Sequence, residues 1–77
     1  MARVRYFAAA EEMAGLASEE RSEQTLGELR AALATERSGL GGILPRCAVL
    51  VDGSRSDDDA PLSPTTVVDV LPPFAGG

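Results

Sequence analysis

Between residues 25 and 38 the sequence carries a complete helix signature, and most of what surrounds it reads as strand or turn. Thr25 stands three residues before Glu28, the spacing at which a hydroxyl and a carboxylate can each satisfy a free first-turn amide. Leu26, Leu29 and Leu33 follow at i, i+3 and i+7, which puts them in one apolar stripe. Gly39 can take the left-handed conformation that closes a helix, so the spacing predicts a helix from Leu26 to about Ser38. An amphipathic helix must lay its stripe on something, and the apolar segments left to receive it are extended ones.

Those segments lie toward both ends of the chain. Residues 2–8 alternate, with Val4, Tyr6 and Ala8 on one face and Arg3, Arg5 and Phe7 on the other. Ala9 to Ala14 is a short helix-capable stretch ended by Gly15, and polar Ser18 to Gln24 fits an edge strand returning beside the first. Gly41, Gly42 and Pro45 interrupt the chain after the helix. Cys47 to Val51 reads as a buried strand, Asp52-Gly53 as a turn, and Ser54 to Ala60 as a polar loop with room for a short strand. Thr66 to Leu71 is a final β-branched run, stopped by Pro72-Pro73. If both terminal strands are central and parallel, the chain between them is long enough for a right-handed crossover. The order predicts an α+β fold of the β-grasp, or ubiquitin-like, kind: a mixed sheet of four to five strands covered by one main helix. The expected body is residues 1–72, with 73–77 as a flexible tail ending in Gly-Gly.

Composition narrows the chemistry. The 77 residues contain no His, no Lys, no Trp and a single Cys, Cys47. That leaves no intrachain disulfide, no Cys/His zinc cluster and no histidine-based nucleophile system. Seven arginines against twelve carboxylates give a net charge of −5, a poor match to a phosphate backbone, so nucleic acid is not an expected partner. No apolar run approaches the roughly 20 residues that span a bilayer, so no membrane association and a cytoplasmic location are expected. Acting alone, such a chain is not expected to be an enzyme.

Three local patterns read as structure. Asp52 to Asp57 has Asp57 where a calcium loop needs its sharp-turn glycine, and Ser63 where it needs a bidentate glutamate. Gly39-Leu40-Gly41-Gly42 follows a helix and lacks the Lys-Ser/Thr of a phosphate loop, so it reads as a cap and turn. Cys47, inside an apolar strand, reads as an inert small hydrophobe.

The end of the chain is different. Gly76-Gly77 carries no side-chain mass, so it can approach another surface closely and enter a narrow channel. Pro72-Pro73 stiffens its base. At ~3.3–3.6 Å per extended residue, Phe74 to Gly77 reaches about 13–14 Å beyond the prolines.

Pro72-Pro73-Phe74-Ala75-Gly76-Gly77 resembles the Pro-Pro-x-x-Gly-Gly terminus of the small subunits of molybdopterin synthase. Val4-Arg5-Tyr6-Phe7-Ala8, with Glu12 and Gly15, is similar to that family's first strand and the segment after it. Thr25, Leu29, Val51 and Pro61-Leu62 also fall where the family would place them. The resemblance implies a sulfur carrier. An ATP-dependent adenylating enzyme would activate the Gly77 carboxylate, and a sulfurtransferase would convert it to a thiocarboxylate. The tail residues Phe74, Ala75, Gly76 and Gly77 would then enter the large synthase subunit and give sulfur to a cyclic pyranopterin precursor. It further implies a heterotetramer with the large subunit, which would hold the active-site residues. This chain would bind no cofactor; ATP would be used by the activating enzyme. Phe7 and Leu71, on the sheet face opposite the helix, form with Phe74 the expected partner surface. Sulfur carriers for thiamine or cysteine synthesis share the di-glycine end. A ubiquitin-like modifier, or a non-covalent β-grasp binding module, is the alternative from another class.

Overall fold

The computed structural model describes residues 1–73. Five strands form one sheet: β1 (Ala2–Tyr6), β2 (Ser18–Arg21), β3 (Ala48–Val51), β4 (Ser54–Arg55) and β5 (Val67–Leu71). Three helices, α1 (Ala9–Ala14), α2 (Leu26–Glu36) and α3 (Ser38–Ile43), and a 3₁₀ turn at Leu44–Arg46 make up the other layer. The strand order is β2-β1-β5-β3-β4, with β1 parallel to β5 and the other neighbours antiparallel. This is the predicted architecture, with the two terminal strands side by side in the interior of the sheet.

Register sorts the strand residues into two faces. Val4 is opposite Val68, Tyr6 opposite Val70, and Val49 and Val51 opposite Val70 and Val68. These point to the helices and meet Leu26, Leu29, Leu33, Leu40 and Leu44 in one core. The predicted leucine stripe of α2 is buried at all three positions. Its cap forms as expected at Thr25, whose Oγ1 accepts the Glu28 amide at 3.2 Å. The Glu28 carboxylate accepts the amide of Gln24. The loop before β5 completes the job: Gly27 and Leu26 donate their amides to the carbonyls of Asp58 and Ala60 at 2.8 and 3.0 Å. The side chains at 57–59 are exposed, as a solvated acidic loop should be, but their backbone belongs to the helix start.

Three expectations need correction. Strand β1 stops at Tyr6, and Ala8 takes φ 51° and faces solvent, so it does not share the inner face with Val4 and Tyr6. Gly39 does not cap α2. The helix closes at extended Arg37, and residues 38–43 form α3 instead of a cap and turn. Burial outweighs the low helix propensity of three glycines: Leu40 is 0% exposed, and the backbone of Gly41 lies so close to Ala34 that a Cβ there would stand 3.1 Å from it. The sequence anticipated the turn at Asp52-Gly53, where φ of 49° and 84° matches the twist of the β3–β4 hairpin.

Strand β2 is polar on both faces and is held by charge. Glu19 accepts a hydrogen bond from the Tyr6 hydroxyl and two from Arg37, at 3.0 and 3.4 Å. Arg21 forks onto Glu23 and onto Glu36, with all four N–O distances at 2.8–2.9 Å. These contacts tie the β1–β2 edge to the C-terminal end of α2. No buried side-chain polar atom among the described residues is left without a partner.

Candidate functional site

The helices cover one face of the sheet and leave the other open. Along β1 the open face carries Arg3 and Arg5; along β5 it carries Val67, Asp69 and Leu71; along β3, Ala48 and Leu50. The Phe7 amide donates to the Val70 carbonyl at 3.2 Å, which carries the parallel register one step past β1 and sets Phe7 beside Leu71. Phe7 is 38% exposed and Leu71 is half-buried. The structure therefore brings together two of the three predicted partner-surface residues. The third, Phe74, lies outside the described residues, as do Ala75, Gly76 and Gly77.

Sequence reasoning missed the polar half of this patch. Arg5 donates from Nε and Nη2 to the two carboxylate oxygens of Asp69, at 2.6 and 2.8 Å. The same guanidinium stands 5.7 Å from the centre of the Phe7 ring. Hydrogen bonding to Asp69, then its charge, raises the Arg5 pKa, so the guanidinium stays charged. On an open face such a pair adds little stability, but its two-point geometry fixes both side chains. A signal was available: alternation in Val67-Val68-Asp69-Val70 puts one carboxylate on the outer face, and parallel pairing with β1 puts an arginine opposite.

The patch adjoins the point where the chain leaves the sheet. Strand β5 has a partner on each side, β1 up to Val70 and β3 up to Leu71. Pro72 is buried and Pro73 exposed. Proline offers no amide to a ladder and holds φ near −65°, so the strand ends on a braced base.

Cys47 precedes β3, half-buried, with Sγ donating to the Ile43 carbonyl at 3.2 Å. Burial pushes its thiol pKa up, which lowers the thiolate population needed for nucleophilic attack. Among the described residues no group of three His, Cys, Asp or Glu is placed to hold a metal ion, and no helix is long and apolar enough to cross a membrane.

Residues 4–77 match the model of the ThiS family. A solved structure of subunit 1 of molybdopterin-converting factor from Helicobacter pylori 26695, in complex with subunit 2, is 32% identical, with a TM-score of 0.75 over 99% of this chain and 97% of that one. A putative molybdopterin converting factor subunit 1 from Pyrococcus furiosus superposes with a TM-score of 0.81 at 23% identity, over 95% and 97%. Small archaeal modifier protein 1 of H. volcanii does so at 0.75 and 18% identity, over 95% and 97%. No curated protein sequence matches the chain. The last two likenesses speak to fold alone; the family match covers nearly the whole length, and on it the chain belongs to the ThiS family.

Proposed function

We propose that this protein is a sulfur carrier for molybdopterin synthesis, working with a large catalytic subunit. Gly77 is the reactive end. Its carboxylate is adenylated by an ATP-dependent enzyme, then converted by a sulfurtransferase to a thiocarboxylate that donates sulfur to a cyclic pyranopterin precursor. Adenylation matters because a carboxylate oxygen leaves poorly until it becomes part of AMP. Phe74, Ala75, Gly76 and Gly77 form the inserted segment, and residues 1–72 the body that presents it.

The observation that carries this reading is that the central strand β5 runs into a Pro-Pro stop beside an open face bearing Phe7 and Leu71, in a sequence that continues through Phe74-Ala75 to Gly76-Gly77. The 32% identity to a subunit 1 solved with its subunit 2 supports a large-subunit partner and this pathway. The body binds no cofactor of its own in this account, and the acid–base groups come from the partner. That division suits a chain without His or Lys.

Reconstitution tests it. The chain, ATP, the adenylating enzyme and a sulfur donor are combined, and the large subunit and pterin precursor are then added. Dithiolene product is expected from the full chain and none from the form lacking Gly77. Equal product from both forms would refute the proposal.

A further inference from the structure

The proposed cycle creates a hazard that the arrangement of cations answers. Every cationic side chain in the sequence is an arginine: Arg3, Arg5, Arg21, Arg30, Arg37, Arg46 and Arg55. Several surround the base of the tail. Arg46 leads into β3 at the same sheet end as Pro73, because Ala48 pairs antiparallel with Leu71. Arg5 and Arg55 are level with Asp69 on β5, Arg5 directly and Arg55 through Leu50. At ~3.3 Å per residue, Asp69 is roughly 13 Å from Pro73, while Arg3, paired with Val67, is already roughly 20 Å away. The four residues after Pro73 extend at most about 14 Å. Chain length alone therefore lets a Gly77 carbonyl come within side-chain length of positions 46, 5 and 55 but not of the opposite end of the sheet, where Met1 and Gln24 lie together.

We propose that arginine at these positions keeps the activated terminus from acylating its own body, and so directs it to an external sulfur nucleophile. This rests on the carrier reading above. An acyl-adenylate is open to attack by a neutral amine. The nitrogen lone pair would add to the Gly77 carbonyl carbon, the bond to the AMP oxygen would break, AMP would leave with the electron pair, and the amine would lose a proton. Lysine, with a pKa of about 10.4, supplies a small population of free amine at neutral pH, whereas the arginine guanidinium stays protonated and is not a nucleophile. A lysine on the same chain would meet the terminus at an effective concentration on the order of millimolar. That would compete with delivery. Arginine preserves the positive charge beside the tail and removes the competition.

The test bypasses the activating enzyme, so that it stands apart from the pathway assignment. The full chain is prepared with Gly77 as an α-thioester, and its decay at pH 8 is followed by intact mass at roughly 10 μM. All chains carry Cys47→Ala, which removes the thiol that could exchange with the thioester, and the chain with no further substitution (wild type below) should only hydrolyse. Arg46→Lys should form an internal amide, lighter than the hydrolysed chain by one water, about a hundredfold faster than it couples to a second copy. Peptide mapping should place the link between Lys at position 46 and Gly77. Gln24→Lys, at the far end of the sheet, should behave as wild type. Added ethanolamine should consume all three thioesters, which establishes that each is reactive. The proposal is overturned if Arg46→Lys forms no internal amide while ethanolamine still reacts, or if Gln24→Lys cyclises as fast. Failure of the adenylating enzyme to act on Gly77 would instead refute the carrier reading, whatever the thioester result.

Discussion

At the scale of single residues, the side chains divide into those that hold the body and those on the open face proposed for docking. Tyr6 belongs to the first group. Burial, then its hydrogen bond to Glu19, pushes its phenol well above the ordinary value of 10.0, so it donates and does not ionise. Stability linked to it is full below that ordinary value and falls as pH rises toward the raised folded one. Tyr6→Phe leaves Glu19 with its arginine partners, Arg37 and Arg21, and should cost about 1–2 kcal/mol by urea unfolding at pH 7, with a flatter alkaline limb. Cys47 should be dispensable: Cys47→Ala is expected to keep full sulfur transfer, measured as product per chain. Loss of transfer in a folded variant would contradict that. Arg5, Asp69 and Phe7 belong to the second group. Asp69→Asn is expected to leave the melting temperature nearly unchanged and to weaken large-subunit binding in calorimetry, because Arg5 loses its two-point anchor.

At the scale of elements, much was legible before any coordinates. The Thr25 cap, the leucine stripe, the Asp52-Gly53 turn and the alternation in β1 each express a local rule that the packing also favours. Thr25→Ala should cost about 1 kcal/mol of stability, since the Asp58 and Ala60 carbonyls still serve the neighbouring amides. What stayed hidden depended on contacts distant in sequence. The glycine-rich stretch 39–42 looked like a cap because local propensity opposes a helix there. Leu40 in the core and Gly41 against Ala34 decide otherwise. Gly41→Val should therefore destabilise by about 1–3 kcal/mol through crowding of the Ala34 backbone, read as a lower urea midpoint at unchanged slope. The Arg5–Asp69 pair was hidden in the same way, being visible only once β1 and β5 are set side by side. Arg21 makes a further element-scale contact. Its hydrogen bonds hold the Glu23 and Glu36 carboxyls below their ordinary value of 4.5. Their contribution is complete above that value and lost as pH falls through the lowered folded values. Arg21→Gln should flatten the acid limb of a melting-temperature profile.

At the scale of the whole molecule, a small mixed sheet is braced by helices on one side, and its central strand β5 runs out into Pro72-Pro73. In the proposed cycle the core would supply rigidity, the open face a docking patch, and the end of the chain and its partners the chemistry. That division explains why the fold and half of the patch could be read from sequence, as they obey periodicity, while the tail's role rests on motif and likeness. It also explains why a body with so few catalytic side chains suffices. The most direct measurement is the intact mass of the chain after incubation with ATP, its adenylating enzyme and a sulfur donor, with fragmentation to locate any change. The account predicts replacement of one oxygen by sulfur at the Gly77 carboxylate, absent when ATP is withheld. A terminus that stays an ordinary carboxylate, or that appears only in amide linkage to lysines of other proteins, would contradict it.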